Sequence, residues 1–367
     1  MLPTYCLPEE NIVKQLVATS QGEVQLREAP MPRLEGSGAI VQTVCSVFGA
    51  GSELGGLRRQ RQAVRQQEQA RDRPITERPM SYQSCGRIVE LSDDLQGAYQ
   101  VGDLVACSGG GFGAHAEYGY APRHTIARVP EGLSPEEAAT TNVGLTALHA
   151  LRRAQFQAGE TLAIIGLGMV GQCLAQLVTT LGGRAFGADL YPLRLERAKR
   201  CGIEAAIDAR SADFLPEVRR RTDGLGADYV ALCVVGSNQE LVHLAVRLLR
   251  PSGVLLLVGG PLHPDFGGAE GDASPHVKEI DVRWVYGRGP GSRDPQWNQG
   301  ATEYPSRFVR WTAQSNLEAL LRLQAAGRLR TAPLLTHRFP LERVTEAADL
   351  LIERPEEALG VALTYGP

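Results

Sequence analysis

A glycine-rich turn between an apolar segment and a helix-like segment has the spacing that holds a dinucleotide. Residues 161–171 read TLAIIGLGMVG, which is G-x-G-x-x-G at the end of a strand-like run. The first glycine permits a sharp turn, the second lets the backbone approach a pyrophosphate, and the third lets the helix pack closely on the strand. The free N–H groups of the helix would then point at the phosphates. The predicted cofactor contacts in this turn are Gly166, Gly168, Met169, Val170 and Gly171.

Two charged residues after the turn bear on which dinucleotide is bound. Asp189 lies near the end of the next strand-like segment, RAFGADL, where a carboxylate can accept hydrogen bonds from the adenosine ribose hydroxyls. The same carboxylate would repel a 2′-phosphate, so we expect NAD(H) rather than NADP(H). Arg194 lies close enough in sequence to weaken that preference, although an arginine at a helix start is as often a solvated surface residue.

The elements that must position these residues alternate between strands and helices. After residue 145 the strand-like runs are TLAIIG, RAFGADL, AAIDA, DYVALCVVG and GVLLLVGG, with helix-like segments between them. This alternation predicts an α/β fold with a Rossmann-type, doubly wound parallel sheet and a ligand at the carboxyl ends of its strands. Residues 133–151 read as one helix with Ser134 as its N-cap. The Gly- and Pro-rich stretch from 261 to 299 reads as a long loop.

The composition limits the range of partners. The 367 residues suffice for two domains, and the formal net charge of -3 gives no general attraction to nucleic acid or membranes. No apolar run approaches a membrane span, and the N-terminus MLPTYCLPEEN lacks a basic and then apolar signal. The seven cysteines contain no CxxC pair, which is typical of reduced thiols. We therefore expect a soluble, cytoplasmic protein that binds a small molecule and neither nucleic acid nor membrane.

One strongly basic segment departs from this balance. Residues 57–79 contain seven arginines and three acidic residues, so the local charge is 7 − 3 = +4. Two interpretations stay open. The segment is a solvated helix or mobile loop, or it is a lid that carries positive charge over an anionic or phosphorylated substrate.

Several motifs along the chain resemble the medium-chain dehydrogenase/reductase superfamily. They include AEY at 116–118, VPEGLSPEEAA, the TLAIIGLGMVG turn and LLRPSGVLLLVGG. The resemblance implies a β-rich, GroES-like catalytic domain built from both chain ends, at 1–144 and 311–367, around a Rossmann domain at 145–310. It also implies a homodimer, because relatives usually pair their Rossmann sheets.

The positions that bind catalytic zinc in many members of this superfamily are changed in this sequence. GAGSEL is similar to the motif CGTD and places Ala50 at the first ligand position. SYQSCG places Tyr82 and Gln83 where the motif GHE has histidine and glutamate, and Asn142 falls at the third ligand position. Neither alanine nor an amide is a strong zinc ligand, so the resemblance implies no catalytic zinc. The four-cysteine lobe of a structural zinc is also missing between Cys107 and Ala116.

The phrases GGGFGAHAEY and YGRGPGSRDP resemble a zinc-free branch of the superfamily. That branch includes the dehydrogenase half of two-domain bacterial oxidoreductases and is similar to bacteriochlorophyllide hydroxyethyl dehydrogenases. The resemblance implies a zinc-independent, NAD(H)-dependent enzyme that interconverts a secondary alcohol and a ketone, on a sugar, cyclitol or other biosynthetic intermediate. A quinone- or enoyl-type C=C reductase is the alternative enzyme, and a non-catalytic dinucleotide-binding protein is the alternative of another class.

Without zinc, side chains must handle the alcohol proton. The resemblance places Ser52 at the hydroxyl-relay position, while Tyr82 and Glu53 replace a ligand and its neighbouring acid. His115 follows the Gly-rich turn and is either a general base or a packed, hydrogen-bonded histidine. The predicted catalytic residues are therefore Ser52, Glu53, Tyr82 and His115. Two histidines, His124 and His149, are expected to be structural. Four residues of the late motif line the substrate pocket or pack: Arg293, Tyr304, Arg310 and Trp311.

Overall fold

The computed structural model describes residues 12–66, 74–236, 238–259 and 263–366. The N-terminal segment in which we expected no signal lies outside these ranges, as do residues 67–73 of the basic segment.

Strands predominate up to Arg128 in the described ranges, and strands and helices largely alternate after it. Within the described ranges the strands are β1 (Ile12–Thr19), β2 (Val24–Pro30), β3 (Gly38–Val47), β4 (Glu77–Pro79), β5 (Gln83–Leu91), β6 (Leu104–Ser108), β7 (Tyr118–Pro122), β8 (Ile126–Arg128), β9 (Thr161–Ile165), β10 (Arg184–Asp189), β11 (Ala205–Asp208), β12 (Ala227–Leu232), β13 (Leu249–Val258), β14 (Asp281–Val285), β15 (Leu335–Pro340) and β16 (Gly360–Thr364). The helices are α1 (Leu54–Gln66), α2 (Pro135–Ala138), α3 (Thr141–Ala154), α4 (Met169–Thr180), α5 (Pro192–Arg200), α6 (Phe214–Arg221), α7 (Gln239–Leu248), α8 (Pro295–Asn298), α9 (Ala313–Ala325) and α10 (Val344–Glu353).

The chain divides into two compact units. The first unit comprises Met1–Leu145, Arg288–Ala326 and Leu335–Pro367, and the second comprises Thr146–Gly287 and Gly327–Leu334. The sequence placed residues 288–310 in the Rossmann domain, whereas they group with the first unit. It placed residues 327–334 in the catalytic domain, whereas they group with the second unit. The side chains around Arg288 explain the first difference. Its carbonyl accepts a hydrogen bond from Asn316 Nδ2 at 2.9 Å, and its guanidinium donates to the Ser108 carbonyl at 2.9 Å.

Antiparallel pairing dominates the first unit. One three-stranded sheet has the order β2-β1-β4, and the larger sheet has the order β15-β16-β3-β5-β6-β8, with β7 also paired to β3. Strand β16 pairs antiparallel with β3, with Ala362 opposite Val47. Residues from both ends of the chain therefore build this unit.

The second unit contains a six-stranded parallel sheet of order β11-β10-β9-β12-β13-β14. All five residues of β9 are buried, as expected for a parallel strand covered on both faces. The strand order reverses between β9 and β12, which is the point at which such sheets bind ligands. The mixed α/β fold with a Rossmann-type parallel sheet and a β-rich second domain is thus confirmed.

Two local predictions were wrong. The stretch 261–299 contains strand β14, which forms the edge of the parallel sheet. The predicted single helix after Ser134 is divided into α2 and α3. Ser134 does cap α2, but Thr140 Oγ1 donates to the Glu137 carbonyl at 2.6 Å and Gln324 Nε2 donates to the same carbonyl at 2.9 Å. In a continuous helix, the Glu137 carbonyl would instead accept a hydrogen bond from a backbone N–H of the next turn.

Residues 57–66 of the basic segment lie in helix α1, as the first interpretation expected, and residues 77–79 form strand β4. Arg58 of α1 donates to the Leu351 carbonyl at 2.9 Å, and Arg61 pairs with Asp349 at 2.7 Å. Arg65 pairs with Glu353 at 3.0 Å. These arginines therefore bind α10 of the same unit. The lid interpretation is weakened, because these three cations are already engaged within the protein.

No helix in the described ranges is long and apolar enough to cross a membrane.

Candidate active site

The glycine turn of the second unit has the shape of a phosphate cradle. Gly166 has a φ of 98°, in the left-handed region, and a Cβ there would lie 2.6 Å from the Cys233 carbonyl oxygen. A Cβ on Gly171 would lie 2.1 Å from the Gly166 carbonyl oxygen, so only glycine allows α4 to pack this closely on β9. A Cβ on Gly168 would meet no atom within 4 Å. The open space next to Gly168, at the N-terminus of α4, fits a pyrophosphate.

Asp189 lies at the carboxyl end of β10 and is held by the cradle. Its Oδ2 accepts a hydrogen bond from Leu167 N at 2.7 Å, and its Oδ1 accepts one from Tyr191 N at 3.0 Å. Arg194 Nη1 lies 3.5 Å from Oδ2, and the Arg194 guanidinium stacks on the Tyr191 ring at 4.6 Å. The predicted anionic and cationic residues are therefore neighbours, and a ribose at this edge would meet both charges.

In the first unit, two of the predicted catalytic residues lie against Gly49. A Cβ on Gly49 would lie 2.7 Å from Tyr82 Cε1 and 3.0 Å from Ser52 Oγ, so the tyrosine ring and the serine hydroxyl flank this α-carbon. Glu53 Oε2 accepts a hydrogen bond from Gly49 N at 2.8 Å. Ser52 is exposed and Tyr82 is half-buried, which leaves both accessible to a small molecule.

His115 connects this group to a buried chain of polar side chains. Its Nε2 lies 3.3 Å from Glu53 Oε2, and its Nδ1 is hydrogen-bonded to Ser46 Oγ at 2.8 Å. Ser46 Oγ is in turn 2.8 Å from the Tyr365 hydroxyl, and burial raises the pKa of that phenol far above its usual value. His115 is fully buried, with both ring nitrogens engaged. This environment fits the packed, hydrogen-bonded histidine better than a base in direct contact with substrate.

An amide network holds the far side of Tyr82. Gln83 Oε1 accepts from Asn142 N at 2.8 Å and from Val143 N at 3.3 Å, so it satisfies free N–H groups in the first turn of α3. Asn142 Nδ2 donates to the Tyr82 carbonyl, and Asn142 Oδ1 accepts from Ser108 Oγ at 2.7 Å. The two amide residues that sequence comparison placed at metal-site positions thus position the backbone around Tyr82.

A buried arginine next to this network was missed by sequence reasoning. Arg288 is only 4% exposed, and its Nη1 donates to the Ser108 carbonyl at 2.9 Å. Burial lowers its pKa to about 10, so the guanidinium keeps its charge at neutral pH. A signal for Arg288 was present, because this residue belongs to the motif YGRGPGSRDP. Arginine is seldom buried, however, and Arg293 of the same motif was chosen instead.

Comparisons of the sequence with known proteins find similar dehydrogenases. The family model described as zinc-binding dehydrogenase matches residues 169–298. The chain is 29% identical over 260 residues to the sorbitol dehydrogenase of Bacillus subtilis, and the matched region covers 68% of this chain and 63% of that protein. It is 28% identical over 307 residues to an NAD-dependent alcohol dehydrogenase of Sulfurisphaera tokodaii, which covers 76% of this chain and 78% of that protein. These matches support the resemblance to the medium-chain dehydrogenase/reductase superfamily. The chain spans less than two thirds of the length of the sorbitol dehydrogenase.

The fold is also found in solved structures of other proteins. Alcohol dehydrogenase TADH from Thermus sp. ATN1 superposes with a TM-score of 0.73, at 21% identity, over 96% of this chain and 100% of that chain. At this identity the likeness shows the fold alone.

At the positions that the family resemblance relates to zinc ligands, this chain has residues of different chemistry, and Asn142 is engaged in other contacts. Ala50 offers no donor atom, and both polar atoms of the Asn142 amide are engaged in hydrogen bonds. In the described part of the chain, no group of three or more His, Cys, Asp or Glu residues could hold a metal ion.

The remaining candidates lie in packed environments. His124 is hydrogen-bonded to Gln314 and to Glu303 Oε1, the latter at 3.0 Å, and its ring stacks on Trp297 at 4.4 Å. Burial, together with Arg153 and Arg152, lowers the pKa of His149 to about 4.

The late-motif residues pack against one another. Tyr304 stacks on Trp297 at 5.7 Å and donates to Asp294 Oδ2 at 2.9 Å. The Arg310 guanidinium lies 4.9 Å from the Trp311 ring centroid. For Tyr304, Arg310 and Trp311, these contacts favour packing over substrate binding.

Proposed function

We propose that this chain is an NAD(H)-dependent dehydrogenase that interconverts a secondary alcohol and a ketone without a catalytic zinc ion. The observation that carries the proposal is the placement of Ser52 and Tyr82 against Gly49, next to Ala50, where the family resemblance expects a zinc ligand. In the absence of a metal-bound oxygen, the alcohol proton can pass along a hydrogen bond to Ser52 Oγ while Ser52 gives its own proton to water.

The proposed roles follow from exposure and contacts. The substrate oxygen binds between Ser52 Oγ and the Tyr82 side chain, and its proton leaves through exposed Ser52 to water. Glu53 and His115 act as positioning residues, because Glu53 fixes Gly49 and His115 fixes Glu53. When bound, NAD⁺ supplies the hydride acceptor.

Asp189 supports NAD(H) as the cofactor. Its carboxylate stands at the end of β10, where it would accept hydrogen bonds from the ribose and repel a 2′-phosphate. Polyols are proposed substrates, since a relative of the chain is named a sorbitol dehydrogenase.

A homodimer formed through the second unit is part of the proposal. Strand β14 is an edge of the parallel sheet and exposes 57% of Trp284. An exposed edge strand with a large aromatic side chain favours pairing with another chain. Light scattering should give the mass of two chains in solution, and a monomer would contradict this part of the proposal.

The experiment that tests the activity is an alcohol panel with two cofactors. Sorbitol, 2,3-butanediol and 2-propanol are offered with NAD⁺ or NADP⁺ to the wild type, to Tyr82→Phe and to Ser52→Ala. We expect NADH formation by the wild type and a drop in kcat of about 100-fold in each variant, within the range of acid–base groups. In a parallel assay with NADH or NADPH, reduction of an enone together with no oxidation of any alcohol would show a C=C reductase. NADH binding without any turnover would show a binding protein.

A further inference from the structure

Arg288 is a buried cation that has no anionic partner in the described part of the chain. Only 4% of Arg288 is exposed, yet Arg288 forms no ion pair with any described carboxylate. A buried charge is strongly unfavourable unless an opposite charge or several hydrogen bonds compensate for it. Burial is accordingly the one cause that lowers its pKa, without an acidic neighbour to raise it.

The guanidinium also has N–H groups left over. Nη1 donates to the Ser108 carbonyl at 2.9 Å and lies 3.5 Å from Ser108 Oγ, while Nε and Nη2 have no hydrogen-bond partner among the described residues. These nitrogens are not among the side-chain atoms that are both sealed from solvent and unsatisfied. Both nitrogens therefore keep some accessible surface along the free edge of the fork.

The surroundings hold this fork in place. A Cβ on Gly109 would lie 2.9 Å from Nη2 and 3.1 Å from Cζ, so the guanidinium rests on a glycine that makes room for it. The backbone of Arg288 is fixed on both sides, since its N–H donates to Ser292 Oγ and its carbonyl accepts from Asn316 Nδ2, each at 2.9 Å. A fork that is fixed in advance loses little entropy when it binds a planar anion.

The location links this cation to the proposed catalytic residues. Ser108 accepts from Arg288 through its carbonyl and donates through its hydroxyl to Asn142, and Asn142 donates to the Tyr82 carbonyl. Two hydrogen-bonded residues therefore separate the guanidinium from Tyr82.

We propose that Arg288 binds an oxyanion group, a carboxylate or a phosphate, of the substrate, and so selects acidic or phosphorylated alcohols over neutral ones. This inference rests on the proposed function, because it names the substrate class of the same site. It also transfers the role of anion recognition from the basic segment, whose Arg58, Arg61 and Arg65 bind α10.

The test measures anion binding without relying on turnover. Full-length protein saturated with NAD⁺, so that the cradle is filled, is titrated calorimetrically with malonate, with inorganic phosphate and with neutral malonamide. We expect saturable binding of malonate, of phosphate or of both, and none of malonamide. Malonate binding alone assigns a carboxylate, and phosphate binding alone assigns a phosphate. No saturable binding of either anion to the wild type overturns the proposal.

Variants then assign the binding to Arg288. Arg288→Gln should weaken anion binding by about 10- to 100-fold, the range of a charge-assisted hydrogen bond, and Arg288→Lys should weaken it less. Arg307→Gln, which removes an exposed arginine of the same unit, should bind as the wild type does. Unchanged anion affinity in Arg288→Gln overturns the proposal. So does an equal loss of NADH affinity in that variant, because the arginine would then serve the cofactor.

Two further readouts keep the result interpretable. If Arg288→Gln does not fold, Arg288→Lys decides. Weaker anion binding at an unchanged unfolding midpoint supports the proposal, and unchanged binding overturns it. If the chain fails to bind NAD⁺ or to oxidise any alcohol, the proposed function fails. The titrations repeated without NAD⁺ then still report whether Arg288 binds an anion.

Discussion

His115 Nε2 lies 3.3 Å from Glu53 Oε2, at a distance of 62 residues in sequence. The same carboxylate oxygen accepts the Gly49 N–H, so one buried imidazole and one backbone amide share it. On the other side of the imidazole ring, His115 Nδ1 is hydrogen-bonded to Ser46 of strand β3. The Glu53–His115 pair therefore links the turn that contains Ser52 to β3.

Glu53→Gln should reduce kcat more than it reduces stability. The amide oxygen can still accept from Gly49 N, but the negative charge that faces His115 is lost. We expect kcat to fall by about tenfold, since acid–base positioning contributes at least that much, with KM nearly unchanged. Steady-state kinetics checks this, and a rise in KM at constant kcat would instead assign Glu53 to substrate binding.

The two glycines of the cradle should respond differently to alanine. Gly168→Ala adds a methyl group to open space, so the fold should keep its unfolding midpoint while NADH affinity falls by about tenfold. Gly171→Ala pushes a methyl group within 2.1 Å of the Gly166 carbonyl oxygen, so it should destabilise the fold by about 1–3 kcal/mol.

Fluorescence titration with NADH and thermal unfolding separate the two effects. Each glycine variant serves as the control for the other. Equal loss of stability in both variants would mean that the space next to Gly168 is not reserved for a ligand.

Asp189 and Arg194 should together set the choice of cofactor. Asp189→Asn removes the charge that disfavours a 2′-phosphate, so the preference for NAD⁺ over NADP⁺ should drop by about tenfold or more. Arg194→Gln removes the cation 3.5 Å from that carboxylate and should increase the same preference. The ratio of kcat/KM with the two cofactors measures both changes. Shifts in the same direction would show that the two side chains do not face the ribose.

Asp228 should make the second unit sensitive to acid. Burial alone would raise its pKa, but ionic and hydrogen-bonded contacts with Arg250 and Thr161 outweigh burial and hold the pKa below the ordinary value of 3.8. A carboxyl with a lowered pKa in the folded state stabilises the fold above its unfolded pKa, and the stabilisation is lost as pH falls through the folded pKa.

The measurement for Asp228 is the unfolding midpoint at neutral pH and at pH values below about 4. Asp228→Asn should lower the midpoint at neutral pH, by an amount equivalent to about 1–3 kcal/mol, because Thr161 N and Arg250 lose a charged acceptor. The difference between the variant and the wild type should shrink in acid. A difference that does not change with pH would contradict the assignment.

The cradle could be predicted from the sequence because its geometry is local. Gly166, Gly168 and Gly171 lie within six positions of each other, and the conformations they need are properties of glycine itself. The alternating strands and helices likewise predicted the parallel sheet. Strand β14 was missed because an exposed edge strand in a Gly- and Pro-rich stretch lacks the buried apolar run of its neighbours.

The site of the first unit depends on contacts that no local pattern contains. Resemblance to a family suggested Ser52, Glu53, Tyr82 and His115, but the links through Gly49, Ser46 and Tyr365 required the register of β3 with its neighbours. Arg288 was missed for a related reason, because sequence does not show which arginine of a motif is buried. The catalytic roles of these four residues, Ser52, Glu53, Tyr82 and His115, stay predictions.

Metal content measured together with turnover tests the central claim most directly. Purified protein is analysed for zinc by mass spectrometry, treated with a chelator, and assayed for NADH formation from the best secondary alcohol of the panel. The account predicts substoichiometric zinc and a rate that the chelator leaves unchanged. One zinc ion per chain, with activity that is lost on chelation and restored by zinc, would contradict it.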